Sequence, residues 1–196
     1  MKPEVEATFI NIDPDALRAK LRSAGATLIL PETLMNRTIF DTGEHSFLRV
    51  RNEGNKITIT YKRVDELSLS GSKEINLDIN NYDAAIELFK TLGLEPKAVQ
   101  ETKREEWKLD GVEFDIDTWP WLPTYVEVEG PDEESVKAVI TKIGFNLDHA
   151  HYGSVDEIYK LYYDVTNNDI NFCPEITFKE IPDWLESKRR PETPEF

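Results

Sequence analysis

Phe47-Leu48-Arg49-Val50-Arg51-Asn52-Glu53-Gly54-Asn55-Lys56-Ile57-Thr58-Ile59-Thr60-Tyr61-Lys62 is the stretch that decides the fold class. Apolar and polar residues alternate on both sides of Asn52-Glu53-Gly54-Asn55, a turn with a glycine able to take positive φ. A period of two means strands, because successive side chains point to opposite faces. The stretch reads as a β-hairpin with Arg49 and Arg51 on one face of its first strand. Lys62 follows two threonines, Thr58 and Thr60, on the second.

Working outward, the same alternation returns in Glu4–Phe9, Glu74–Ile79, Phe114–Asp117 and Tyr125–Glu129, with Asp110-Gly111 as another hairpin turn. Adding Asn36–Asp41 and Thr102–Leu109 gives about eight strands of ordinary length. Between them the period becomes helical. Asp13 caps a helix with Pro14 at its first position and Leu17, Leu21 and Ala24 on one face, ending at Gly25. Asn81 caps a second, with Ile86, Phe89 and Leu92 before Gly93. Asp132 caps a third, where Val136, Val139, Ile140 and Ile143 precede Gly144. A fourth starts at Ser154, with Glu157 completing a capping box, and buries Ile158 and Leu161. Many antiparallel strands with few helices give an α+β class, as an open sheet or a barrel. From about Asp164 the pattern breaks into prolines and the Lys188-Arg189-Arg190 run. Residues 1–163 therefore read as the domain and 164–196 as an arm or partly ordered tail.

Composition narrows the function. The 196 residues are 39% apolar and 31% charged, enough for a core without disulfide or metal staples. The 38 acids against 23 bases leave a net charge of −15, which argues against general nucleic-acid or anionic-membrane binding. Cys173 is the single cysteine, so there is no internal disulfide and no cysteine zinc site. With no long apolar run and no signal-like start at Met1-Lys2-Pro3-Glu4, the expectation is a soluble, cytoplasmic protein.

The strand charges are segregated by sign. Glu4 and Glu6, Asp115 and Asp117, and Glu127 and Glu129 form acidic i, i+2 pairs, whereas Arg49, Arg51 and Lys62 are basic. One reading is a solvated sheet face opposite an apolar core. The other turns the polar faces inward, because helices must cover the apolar side and repeated acidic pairs repel unless neutralised. Inward-facing carboxylates opposite arginines would suit a divalent cation plus a polyanion. Mg²⁺ takes oxygen ligands and shares phosphate oxygens, and arginine grips phosphate in bidentate fashion.

These residues bear a resemblance. The sequence resembles the CYTH family, or triphosphate tunnel metalloenzymes, which includes thiamine triphosphatases, inorganic triphosphatases and class IV adenylyl cyclases. The family's first-strand E-x-E-x-K corresponds to Glu4-Val5-Glu6-Ala7-Thr8, and its Y/F-F-D-T and L-R-x-R elements to Ile39-Phe40-Asp41-Thr42 and Leu48-Arg49-Val50-Arg51. T-x-K corresponds to Thr60-Tyr61-Lys62, the acidic strand after it to Lys73-Glu74-Ile75, and R-x-x-Y/W to Arg104-Glu105-Glu106-Trp107. The late acidic elements correspond to Asp117 and Glu127-Val128-Glu129, in the right order over residues 1–163.

The resemblance implies a closed antiparallel barrel, a tunnel of about eight strands with helices packed outside. It implies Mg²⁺ or Mn²⁺ at Glu4, Glu6, Asp117, Glu127 and Glu129. It implies substrate binding by Arg49, Arg51, Lys62, Glu74 and Arg104, with Glu4, Glu6, Lys62 and Arg104 in catalysis. Thr8 and Thr102 stand where the family has lysines, and Arg37, Lys56 and Lys73 are the candidates to replace the missing charge. The implied partner is a triphosphate-containing small molecule, with a homodimer left open. Three functions follow: a metal-dependent triphosphatase, a class IV-type adenylyl cyclase forming cyclic AMP from ATP, or a triphosphate- or polyphosphate-binding module without turnover. The Trp119-Pro120-Trp121-Leu122-Pro123 segment is either a rigid connection packed on the core or at a dimer contact, or an aromatic lid over a base or thiazole ring.

Overall fold

A computed structural model of the chain describes residues 2–43, 45–66, 68–69 and 71–191, with side chains from Val5 onward. The strands are β1 (Lys2–Phe9), β2 (Thr27–Asp41), β3 (Ser46–Asn52), β4 (Ile57–Val64), β5 (Ser72–Ile79), β6 (Pro96–Leu109), β7 (Val112–Thr118), β8 (Tyr125–Gly130) and β9 (Glu175–Ile176). The helices are α1 (Pro14–Ser23), α2 (Tyr82–Thr91), α3 (Glu133–Ile143), α4 (Val155–Tyr162), α5 (Asn167–Asn171) and α6 (Asp183–Glu186). Through α3 the order is the one read from periodicity.

Local chemistry sets the element ends. Asp13 accepts from the backbone N–H of Asp15 and Ala16, Asn81 from Ala84, and Asp132 from Ser135. Asp110 and Gly111 both take positive φ, 51° and 86°, as a tight β6–β7 hairpin requires. Three helical details differ from expectation. The Ser154 hydroxyl makes no cap hydrogen bond and donates instead to Asp156, so the capping box does not form. Leu92 is exposed at the end of α2, where Ala85 is buried instead, and α4 buries Tyr159 and Tyr162 while Leu161 is half-buried.

The sheet runs β2-β3-β4-β5-β1-β8-β7-β6-β9, all neighbours antiparallel except β6–β9, and it curls until β2 also pairs with β6. The closed eight-stranded tunnel is nevertheless corrected. At the β5–β1 seam only Lys2↔Glu74, Pro3↔Lys73 and Glu4↔Ser72 are in register. β5 begins at Ser72, so Val5–Phe9 of β1 run past its end, and among the described residues Ile75–Ile79 of β5 have no partner across the seam. Loop backbone covers that stretch of β1: Glu6 N–H donates to Leu69, and Thr8 exchanges hydrogen bonds with His151. The result is an open, incompletely closed half-barrel of nine strands with helices outside.

The long strands β2 and β6 extend well beyond the expected Asn36–Asp41 and Thr102–Leu109. Register shifts at Leu28/Leu30, Leu30/Thr33 and Ile39/Phe40 let them bend around one another. Outward-facing Val5, Ala7, Phe9, Phe114, Ile116, Val126 and Val128 pack with Leu17 and Leu21 of α1 and with Val136, Val139, Ile140 and Ile143 of α3. Phe40, Val50 and Ala85 form a smaller core under α2, where Phe40 meets Phe89 edge to face. The charged faces turn to the concave side. Contacts that skip a strand require this, such as Lys62 of β4 with Glu6 of β1, and Arg104 of β6 with Glu127 of β8.

The C-terminal segment, expected as an arm or partly ordered tail, packs its described residues onto a further apolar cluster. Ile170, Cys173, Ile176 and Leu185 join Trp119, Leu122, Tyr125 and Tyr159 there. Cys173 is buried, and burial raises its thiol pKa, as suits an inert side chain. Leu185 is fully buried, so Leu185→Ala should cost about 2–5 kcal/mol. A urea melt should show this as a lower midpoint at unchanged slope.

Candidate functional site

One wall of the half-barrel is basic. On β3, Arg51 lies opposite Arg37 of β2, and the next inward residue, Arg49, lies opposite Ile39. Arg51 is buried and satisfied by Glu53, at 2.7 and 2.9 Å; Glu53 also accepts from Thr58 at 2.9 Å. Sequence placed Glu53 in a turn, and the turn does form around Gly54 at φ 84°. Its buried carboxylate as the counter-charge for Arg51 was not read, although its i+2 spacing from Arg51 puts both on one face.

Arg49 is different. Its guanidinium donates to Thr60 Oγ1 at 3.1 Å, while its Nε is buried without a partner. Thr60 in turn donates to Asn76 of β5 at 2.9 Å. Burial, then the like charges of Arg51, Arg37 and Arg104, lowers the Arg49 pKa well below its usual value.

The facing wall is acidic. Side by side across β1, β8 and β7, Glu6 lies opposite Glu129, and Glu129 opposite Glu113. In the next inward row, Thr8 faces Glu127, Glu127 faces Asp115, and Asp115 faces Glu106 of β6. Like charges directly opposite one another repel, so such rows need cations. Two come from the chain itself. Lys62 Nζ lies 2.8 Å from Glu6 Oε1, with both side chains largely buried. Arg104 spans three carboxylates, donating to Asp117 at 2.7 Å, to Glu127 at 2.8 Å and to Asp115. Glu74, expected at the substrate, lies opposite Lys62 on β5. Glu4 pairs through its backbone with Ser72, and its side chain lies outside the described residues.

Three carboxylates around one guanidinium leave excess negative charge. Burial, outweighing the pull of Arg104 and aided by Asp117 and Glu127, raises the Asp115 pKa to about 8. An unfolded aspartate titrates near 4. The folded state therefore holds a proton between those values that the unfolded chain lacks. This contribution to stability is fully present below about pH 4 and is lost as pH rises toward 8. Denaturant midpoints of the metal-free protein should show that decline, and Asp115→Asn should flatten it. A slope unchanged by the substitution would contradict the assignment.

Among the described residues, no three His, Cys, Asp or Glu side chains are already grouped to hold a metal ion, since Lys62 and Arg104 sit among the acids. Donor chemistry nevertheless fits Mg²⁺ or Mn²⁺. Every acidic-wall group is a hard oxygen, and Asp115 Oδ1 is buried without a hydrogen-bond partner.

Of the cations considered as replacements at Thr8 and Thr102, Lys56 is exposed and approaches Glu53 at 3.4 Å. Lys73 bonds Asp65 at 2.8 Å at the surface. Only Arg37 of the three points inward and is buried, donating to Thr102 Oγ1 at 2.6 Å. The tryptophan segment packs on the core: Trp119 and Leu122 are buried, and the Trp121 indole donates to the Lys179 carbonyl. Residues missed by sequence reasoning as members of this site are Glu53 and Tyr125, while Asp115, read as one of the paired carboxylates, was given no role of its own. Tyr125 does carry the inward parity of Glu127 and Glu129.

A family model for the CYTH domain matches residues 2–162. The chain belongs to the CYTH-domain family. No curated protein matches it significantly in sequence. Among solved structures, the CYTH chain resembles the PH1012 protein of Pyrococcus horikoshii, with a TM-score of 0.66 and 22% identity over 76% of this chain and 94% of that one. It also resembles a candidate adenylate cyclase of Vibrio parahaemolyticus, with a TM-score of 0.69 and 14% identity over 81% and 98%. HpAC1 of Hippeastrum, described as a candidate adenylyl cyclase with a dominant triphosphatase activity, aligns with a TM-score of 0.50 and 15% identity over 79% and 91%. At these identities the likenesses show the fold alone. No helix among the described residues is long and apolar enough to cross a membrane.

Proposed function

We propose that this CYTH half-barrel is a metal-dependent hydrolase of a triphosphate-bearing substrate, inorganic or organic. The observation that carries the reading is the pair of facing walls. On one side, half-buried Arg49 presents a guanidinium with a buried, unpartnered Nε and no carboxylate of its own among the described residues. On the other, Glu6, Glu127 and Glu129 stand in opposed rows. A chain with net charge −15 that gathers guanidiniums in its one concave face has built a site for a polyanion.

In this reading Arg49, Arg51, Lys62 and Arg104 bind the phosphates, and Glu74 orients Lys62 from the neighbouring strand. Their positive charge lies where negative charge develops on the transferred phosphoryl group. Glu4, Glu6, Glu127 and Glu129, with Asp117 nearby, would hold Mg²⁺ or Mn²⁺. When bound, such an ion polarises phosphoryl oxygen and lowers the pKa of water. Arg104 and Lys62, which neutralise the acids in the free protein, turn toward phosphate when substrate arrives. Water attacks the terminal phosphorus and gives up a proton to the solvent, the anhydride P–O bond breaks, and its electron pair leaves with the departing phosphate oxygen. Residues 1–163 would carry this chemistry, with 164–196 packed as an arm.

Hydrolysis is favoured over cyclisation because the tryptophan segment considered as a base lid is engaged elsewhere: Trp119 is buried against Arg37, and the Trp121 indole donates to the Lys179 carbonyl. The same activity is the one described as dominant for HpAC1. The test is orthophosphate release from tripolyphosphate, ATP and thiamine triphosphate with Mg²⁺, with a parallel cyclic AMP assay. Orthophosphate without cyclic AMP is expected. Cyclic AMP from ATP would transfer the site to a cyclase, and saturable binding without product would make it a binding module.

A further inference from the structure

Arg37 is a buried cation with no counter-charge of its own. It is 5% exposed, and no carboxylate lies within ion-pair distance of it among the described residues. Asp117, the acid that acts on it most strongly, is engaged by Arg104. Its neighbours are instead cationic or neutral. Arg51 stands directly opposite on β3, Thr102 Oγ1 accepts from one terminal nitrogen at 2.6 Å, and the Trp119 ring lies 4.7 Å from the guanidinium carbon. Its Nε has no partner.

Two further buried donors near it are also unsatisfied: the Tyr125 hydroxyl and the Trp119 indole N–H. Tyr125 lies opposite Asp117 on the same concave face, close enough for Arg37 and Tyr125 to influence each other electrostatically. A buried charge without a partner is costly, and unpaired buried donors add to that cost. A buried guanidinium with an unpartnered Nε on the concave face is complementary to an oxyanion.

We propose that Arg37, with the Tyr125 hydroxyl beside it, is an additional anion subsite that takes a phosphoryl oxygen of the substrate and so selects for polyphosphate chains. This rests on the triphosphate reading above and extends it to a residue outside that binding set. The guanidinium does not act on the reacting phosphorus. It supplies a further bidentate grip and continues the basic wall from Arg49 and Arg51 toward β6.

The experiment titrates tripolyphosphate, with Mg²⁺, into wild type, Arg37→Met and Arg37→Lys, and records melting temperatures with and without tripolyphosphate. Loss of a charge-assisted contact should weaken binding by about 10–100-fold in Arg37→Met. Arg37→Lys should fall between, since an ammonium keeps the charge but not the fork. Because Arg37 is uncompensated in the free protein, Arg37→Met should melt no lower than wild type without ligand and should gain less from tripolyphosphate. An unchanged dissociation constant in Arg37→Met overturns the subsite. So does a lower ligand-free melting temperature with undiminished stabilisation by ligand, which would make Arg37 a structural brace for Thr102 and Trp119. If Arg37→Met does not fold, Arg37→Lys decides by the same criteria. Failure of wild type to bind tripolyphosphate overturns the triphosphate reading and this one together, whereas binding that ignores position 37 overturns only this one.

Discussion

Arg104→Ala should destabilise the metal-free protein by about 3–5 kcal/mol, the range seen when one member of a buried ion cluster is removed. Arg104 lies among Asp115, Asp117 and Glu127, and Asp117 is 1% exposed. Without the guanidinium, three carboxylates on neighbouring strands lose the cation they are hydrogen-bonded to and keep only the more distant charges of Arg37 and Lys62. Protonation is their remaining relief, so the deficit should shrink as pH falls toward 4. Arg104→Lys should recover only part of it, because an ammonium cannot span three acids as a planar fork does. Urea melts of the two variants at pH 4 and pH 7 measure this. A loss below about 1 kcal/mol at pH 7 would mean that the cluster is solvated and Arg104 is an ordinary surface charge.

Glu6→Gln should leave the fold intact and remove Mg²⁺-dependent turnover, with a loss on the order of 10³-fold for a group that organises charge in the transition state. The amide keeps an oxygen that accepts from Lys62 at 2.8 Å and from Ser72 at 3.3 Å. It also removes one of two negative charges placed opposite each other at Glu6 and Glu129. The metal-free melting temperature should therefore hold or rise, while stabilisation by Mg²⁺ disappears. Orthophosphate release and melting curves of the same preparation test both halves. Full Mg²⁺-dependent turnover by Glu6→Gln would remove Glu6 from the metal set.

The sequence made the walls legible because strand parity is local. Arg49, Arg51, Lys62, Arg104, Glu6, Glu127 and Glu129 could be assigned faces from alternation, and those faces do converge in the half-barrel. What alternation cannot give is who neutralises whom. That Arg104 sits among Asp115, Asp117 and Glu127 depends on which strands become neighbours across the curl. Closure was misread for a similar reason. Whether β1 and β5 seal depends on where β5 begins, and Ser72 starts it too late to pair beyond Glu4. The first halves of β2 and β6 were missed because residues 27–35, interrupted by Pro31, lack alternation; their pairing is tertiary and carried through bulges. Residues from about Asp164 were read, from their prolines, as an arm or partly ordered tail. They fold because Ile170, Ile176 and Leu185 find an apolar surface made by Trp119, Tyr125 and Tyr159, which no local pattern announces.

The central claim is that the concave face holds a triphosphate between a basic and an acidic wall with a divalent cation. Calorimetric titration of tripolyphosphate into the wild-type protein, in Mg²⁺ and again in a chelator, tests it most directly. The account predicts one saturable site per chain that tightens with Mg²⁺ and weakens as salt screens the guanidiniums. Absence of saturable binding, or binding indifferent to both Mg²⁺ and salt, would contradict it.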